Sequence, residues 1–343
     1  MFLSTDALLE CVPNFSEGSD ALVLNAIKNA ITSVYGVSLL HVDSNISANR
    51  TVFTFIGLPN SVCEAAFNAI KVASELIDMS KHSGTHPRIG ATDVCPLIPV
   101  ANISIEETDL LVQKLAKKVG DELQIPVYCY EFSAKKEYRR RLEQIRKGQY
   151  EFLPIKQHTI GWEPDFGPKD FNKKSGATVI GARHFLIAFN VNLETKSIDI
   201  AKRIAEDIRE SGRAMVNPQT GENISCEGLL KNVKAIGWYI TEFDIIQVST
   251  NITNFNETPI YKVVETIKQR AQLYKTKVVG CELVGLIPLK AVLETGLFYV
   301  EDNESFTDDE LISLAIDKLQ LNSVKPFDAN KNILEKLIEI SND

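Results

Sequence analysis

The run ATVIGARHFLIAFNVNL, residues 177–193, decides the fold. Behind it, residues 149–175 show no regular apolar spacing. The run itself is rich in β-branched and aromatic residues and reads as strand. After it the spacing predicts a helix over 197–211 and two strands within 233–253, turning near Glu242 to Asp244. A helix over 259–274 follows, then a strand that leads to a short helix across 277–294. The same succession stands upstream of the irregular middle. ALLECVPNFSEG (7–18) is a strand entering a loop, and 19–34 is a helix capped by Ser19 or Asp20. VSLLHVDSN (37–45) and RTVFTFIG (50–57) are strands, 61–79 is an amphipathic helix, and CPLIPV (95–100) is an apolar strand.

Strand, helix, strand, strand, helix, strand therefore occurs twice, which is the split βαβ pattern. Each half is expected to form a mixed sheet with helices on its outer face, giving an α+β fold with a ligand cleft or tunnel where the halves meet. The boundaries expected are 1–176 and 177–330, with a helical tail over 331–343. Between the repeats lie a helix over 104–123, with Ser104 and Glu107 at capping-box spacing, a strand in 126–132, and a basic helix over 134–148. The polar segment 211–228 is read as a surface loop.

The 343 residues are 44% hydrophobic and 24% charged, a globular composition. A net charge of -8 argues against broad nucleic-acid binding. The sequence has no apolar run of about 18 residues and no signal-peptide pattern at its start, so no membrane partner is expected. Six scattered cysteines without a CxxC pair read as free thiols in a reducing compartment, and the expected location is cytoplasmic.

Two of five histidines fall in HSGTHPRIGATDVCPLIPV, residues 82–100. His82 and His86 have the spacing of a metal pair, but Gly84 and Pro87 oppose a helix, and Ser83 stands where a zincin needs glutamate. A polar turn is the plain alternative. The sharper reading is an acid–base loop, because imidazole both takes and gives a proton near neutral pH. Arg88 adds a forked cation suited to a carboxylate. Asn14, Ser16 and Glu17, the group Asp43, Asn45, Asn49 and Arg50, the EPDFGP segment (163–168), and STNITN (249–254) supply further donors and acceptors. The seven basic residues of 135–148 read first as a solvated helix face, with attraction of a polyanionic substrate tail as the functional option. The G-x₄-G of residues 176–181 lacks a following lysine and does not support a phosphate loop.

ECVPNFSEG, NRTVFTFIG, the 82–100 stretch, WEPDFGP, GATVIGARHFLIAFNVNL, KAIGWYI, QVSTNITNF and ELVGLIPLKA fall in one order from about residue 8 to about residue 330. In that order they resemble the glutamate formimidoyltransferase (glutamate formiminotransferase) family, in the form without a cyclodeaminase domain. The resemblance implies two ferredoxin-like subdomains with a charged tunnel between them, and a homodimer. It implies transfer of a formimino group from N-formimino-L-glutamate to tetrahydrofolate as co-substrate, with no metal. By the same resemblance His82 is the catalytic residue, and Glu163, Pro164, Asp165, Phe166, Gly167, Pro168, Lys169, Asp170, Phe171 and Asn172 contact folate. Substrate binding is expected of Arg88, Arg50, Asn49, Asp43, Asn14 and His86, and orientation of His82 by Asp43 or Asp93. The family motif H-K-G-E-H-P-R has serine at 83 and threonine at 85 here, which removes one cation and one anion. Formyl transfer from N-formylglutamate and folate binding without catalysis are the alternatives.

Overall fold

The computed structural model describes residues 5–46, 48–216, 221, 223–241, 243–301 and 305–342. They form two compact units, 1–184 and 185–343.

In the first unit a strand broken at Val12 and Pro13, β1 (Leu8–Cys11) and β2 (Asn14–Phe15), leads to helix α1 (Ala21–Thr32). Asp20 caps α1 by accepting hydrogen bonds from the Leu22 and Val23 amides, as its position before the apolar spacing predicts. Strands β3 (Val37–Asn45) and β4 (Arg50–Gly57), helix α2 (Pro59–Leu76) and strand β5 (Thr92–Ala101) complete the split βαβ repeat. Their order in the sheet is β3-β4-β1/β2-β5, antiparallel throughout. Helix α3 (Ile105–Leu123) carries the expected Ser104–Glu107 capping box. It leads to strand β6 (Val127–Cys129).

Three expectations for the middle of the chain are corrected. Residues 134–148 form no single helix: a 3-10 turn at Glu137–Arg139 and the five-residue helix α4 (Leu142–Arg146) replace it. Their basic side chains are solvated only in part: Lys135, Arg140, Arg141 and Lys147 are exposed, whereas Arg139 is 1% exposed and paired with Asp165. The segment taken as irregular contains helix α5 (Gln149–Lys156), whose apolar spacing is obscured by the internal Pro154.

Strand β7 (Thr178–Ala182) returns beside β5 and β6, parallel to both. The compact units therefore divide after His184, whereas the sequence places its boundary at 176/177. The 177–193 run is two strands, one in each unit, separated by a short link.

The second unit runs β8 (Ile187–Leu193), α6 (Ile198–Ile208), a hairpin of β9 (Arg213–Val216) and β10 (Asn223–Cys226), then β11 (Val233–Ile240), β12 (Ile245–Ile252), α7 (Ile260–Leu273) and β13 (Val278–Val284). Its sheet order, β11-β12-β8-β13, repeats that of the first unit. The hairpin corrects the expected loop at 211–228, of which residues 217–220 and 222 lie outside the described residues. Glu242, expected in the β11–β12 turn, also lies outside them. Helices α8 (Leu289–Phe298), α9 (Asp308–Leu319), α10 (Ala329–Asn332) and α11 (Leu334–Asn342) close the chain. Ile333 is fully buried in the second core, so the start of the tail belongs to this unit. Among the described residues no helix is long and apolar enough to cross a membrane.

Candidate active site

Three backbone segments of the first unit meet at one end of its sheet: residues 16–18 after β2, the turn from β3 into β4, and the loop between α2 and β5 that carries both histidines. Their approach needs glycine. A Cβ on Gly18 would lie 2.4 Å from the Asn45 carbonyl, and one on Gly84 would lie 2.4 Å from that of Ala48. Asn49 ties the three together. It adopts φ 48°, a left-handed conformation that asparagine tolerates better than most residues. Its Oδ1 accepts from the Gly18 amide at 3.0 Å, and its Nδ2 donates to the Ser83 carbonyl at 2.8 Å.

His82 is fixed at both ring nitrogens. Nε2 lies 3.0 Å from the Asn49 carbonyl, which can only accept, so Nε2 carries the proton. Nδ1 accepts from Arg88 Nε at 3.3 Å, so its lone pair is free of a proton. The neutral ring with hydrogen on Nε2 is the tautomer that satisfies both contacts. No bond joins His82 to Asp43 or Asp93, which the sequence offered as its partners. Asp93 is 2% exposed and instead pairs with Arg146 while accepting from the Ile89 amide at 2.9 Å. Asp43 sits on the exposed part of β3 opposite Val52.

Arg88 is not a vacant carboxylate fork. Its guanidinium meets Glu151 in a bidentate pair, 2.9 and 2.6 Å, and donates to Gln149 at 3.0 Å. That bond holds the Glu151 carboxyl below its ordinary range. Arg50 contacts Nε2 of His86. Among the described residues no carboxylate lies within ion-pair distance of it, and burial followed by repulsion from Arg146 lowers it to about 10. Burial, then Arg50, then Arg146 press His86 from 6.5 down to about 4, with Asp93 and the Pro87 backbone pulling weakly the other way. His86 is thus neutral at pH 7, accepting at Nε2 and leaving Nδ1 buried without a geometrically sound hydrogen bond.

The depression these groups enclose is about 180 Å³, open to solvent, and lined by Ser16, Ala48, Asn49, Arg50, His82, His86, Arg88 and Asp93. The side chains stand so close that no water-sized sphere fits between them, so this corner as it stands does not hold a whole reactant. A divalent cation would compete with two guanidinium groups for the lone pairs at His82 Nδ1 and His86 Nε2. Among the described residues no group of three or more His, Cys, Asp or Glu is placed to hold a metal.

The expected substrate residues thus separate. His82, His86, Arg50, Arg88 and Asn49 come together; Asn14, 8% exposed and donating to the Val12 carbonyl, and Asp43 do not line the depression. Nor do residues 163–172, and several of these are committed elsewhere. Asp165 faces Arg139 at 2.5 Å and accepts from the Cys129 amide, Gly167 packs on Gly120, and Asn172 accepts from the Lys174 and Ser175 amides. Lys169 and Asp170 are exposed, while the Phe171 ring lies tilted against Tyr150, centroids 5.3 Å apart, and the Tyr150 amide donates to the Arg88 carbonyl. In STNITN, Thr250 and Thr253 bond to backbone of the second unit. Sequence reasoning missed Arg146, Gln149 and Glu151. They sit 53 to 63 positions from their partners, a separation no spacing rule detects.

Residues 8–183 match the family model of the formiminotransferase domain, N-terminal subdomain, and residues 188–339 match that of the formiminotransferase domain. The chain is 46% identical over 97% of its length to a formimidoyltransferase-cyclodeaminase of Gallus gallus, and spans 60% of that protein. It is 42% identical to a glutamate formimidoyltransferase of Streptococcus pyogenes, over 86% of this chain and 93% of that protein. With one of Thermoplasma acidophilum it shares 38%, over 91% of this chain and 98% of that protein. On these matches, and with a doubled split βαβ fold beneath them, the chain belongs to the formiminotransferase family.

Proposed function

We propose that the chain moves the formimino group of N-formimino-L-glutamate to tetrahydrofolate, giving 5-formimidoyltetrahydrofolate and L-glutamate, in one-carbon metabolism and histidine degradation. The observation that carries this is His82, a neutral imidazole with an unprotonated Nδ1, held in an arginine-lined corner. Relatives that this chain matches over more than nine-tenths of their length carry glutamate formimidoyltransferase in their names.

The secondary ring amine of the folate attacks the amidine carbon, forming a carbon–nitrogen bond. The attacking nitrogen gives its proton to Nδ1 of His82. The long 3.3 Å contact from Arg88 is the one that yields, while Nε2–H stays on the Asn49 carbonyl. The bond from the carbon to the glutamate nitrogen then breaks, and the departing nitrogen takes the proton from the imidazolium. Glu151 already offsets Arg88, so the charged ring does not face an uncompensated cation. Such a shuttle contributes about 10²–10⁴ in rate. Arg50, without a carboxylate of its own among the described residues, anchors a carboxylate of the donor, and Arg88 orients His82 rather than substrate. The exposed groups of 163–172, Lys169 and Asp170, with the half-buried Pro168 and Phe171, meet the folate. No step requires a metal. The free thiols fit a cytoplasmic location.

The test is a spectrophotometric assay with tetrahydrofolate and either formiminoglutamate or formylglutamate. Formimino transfer is expected, and His82→Ala should reduce kcat by at least about 10². Turnover of formylglutamate alone, tight folate binding without turnover, or a fall of less than about tenfold in His82→Ala refutes the reading.

A further inference from the structure

Lys156, the last residue of α5, is 5% exposed, yet no carboxylate among the described residues lies within ion-pair distance of it. Its ammonium is met by main-chain carbonyls. Nζ donates to Ile145 at 2.5 Å, Lys147 at 2.8 Å and Gln144 at 3.4 Å, and on another side it lies 4.4 Å from the centre of the Trp162 ring. Those carbonyls close the C-terminal end of α4, where a helix leaves acceptors unpaired and favours a cation.

What this ammonium closes is a strained turn that supplies the active site. Gly148 and Gln149, at φ 85° and 55°, are consecutive left-handed residues where α4 gives way to α5, and the second, the first residue of α5, is not glycine. Across the turn the chain presents Arg146 to Asp93, Gln149 and Glu151 to Arg88, and the Tyr150 amide to the Arg88 carbonyl. Arg88 in turn holds Nδ1 of His82. The hydrogen bonds of the Lys156 ammonium among the described residues go to main-chain carbonyls of the turn and not to these site side chains.

We infer that Lys156 is a positioning residue for the transfer reaction: its ammonium clamps the turn at 144–149 and so sets Arg88 and, through it, the His82 ring. The inference rests on the reaction proposed above. It has a pH consequence. Burial, and then Lys147, the charged group that faces it, lower Lys156 from 10.5 to about 8. The folded protein therefore releases this proton at lower pH than the unfolded chain. This contribution to stability rises as pH climbs from about 8 to 10.5, while the clamp and the activity decline around pH 8, where the folded protein loses the proton. A lysine with only a structural part would not oppose the two.

The test uses Lys156→Met and Lys156→Arg in the full chain. Steady-state kinetics from pH 6.5 to 9.5 and ¹⁵N NMR of the histidine rings without substrate are measured. Small displacements of reacting groups cost up to about 10² in rate, so Lys156→Met should lose at least about tenfold in kcat at pH 7 with KM within about threefold. Lys156→Arg should keep kcat within about threefold and lose the alkaline fall near pH 8. In Lys156→Met the His82 nitrogens should leave the single-tautomer pattern for an averaged one. The inference is overturned if Lys156→Met keeps kcat and the wild-type ring spectrum. It is equally overturned if only its melting temperature drops, or if Lys156→Arg keeps the wild-type alkaline limb or fails as badly as Lys156→Met. Should Lys156→Met not fold, the Lys156→Arg limb decides. If the wild type transfers no formimino group, the reaction proposed above fails, while the NMR comparison still tests the clamp.

Discussion

Acidification should strike the first unit through His86 before its carboxylates titrate. In the folded protein this ring takes a proton only near pH 4, whereas in the unfolded chain it does so near 6.5. The native state resists protonation because the ring is partly buried and Arg50 and Arg146 stand beside it. The sign follows: stability is full above pH 6.5 and is lost as pH falls toward 4, because the unfolded chain binds the proton first. At full strength the difference is worth about 3 kcal/mol. The ring is only partly shielded from water, so about 2 kcal/mol between pH 7 and 4.5 is the expected loss. With a urea slope of about 2–3 kcal/mol per molar, the midpoint should fall by about 0.7–1 M. Substituting His86→Gln removes the titration and keeps an acceptor for Arg50. The assay is urea unfolding of both proteins at pH 7, 5.5 and 4.5, in which the variant reports losses due to carboxylates alone. If both midpoints fall in parallel, His86 is not held neutral by Arg50 and the packing described for this corner is wrong.

Gly84→Ala should drive its Cβ toward the Ala48 carbonyl and the Asn49 side chain, costing about 1–3 kcal/mol in unfolding measurements and lowering kcat more than KM as His82 and Asn49 separate. Asp165→Asn should leave Arg139 buried and unpaired, at a cost of about 3–5 kcal/mol. At a temperature where that variant stays folded, its KM for tetrahydrofolate should remain within about threefold, because the Asp165 carboxylate is spent inside the protein. A selective loss of folate affinity without loss of stability would reverse that assignment.

The local rules of the chain were legible in its sequence. Apolar spacing located α1, α2 and α3, with caps read for α1 and α3, and β-rich composition located β3, β4, β11 and β12, because these depend on neighbours within a few positions. The doubled order of elements identified the split βαβ plan, and two histidines beside an arginine marked the loop where the proposed chemistry resides. Periodicity failed where it had nothing to register. Pro154 masked α5, and the basic residues of 134–148 suggested a helix although Arg139 and Arg146 are drawn to distant carboxylates, Asp165 and Asp93. Nor could alternation reveal that one β-rich run crosses from one unit to the next, since β7 and β8 look alike until each finds its sheet.

The sequence by itself determined which side chains were available near His82; tertiary structure decided what each one does. Arg88 reads as a substrate anchor until Glu151, 63 positions away, occupies its fork, and Asp93 reads as a partner for His82 until Arg146 takes it. Charge pairing at such separations depends on how the sheet and helices bring the segments together. The physical reason is that electrostatic and hydrogen-bond energies depend on distance in space, whereas the chain records only order.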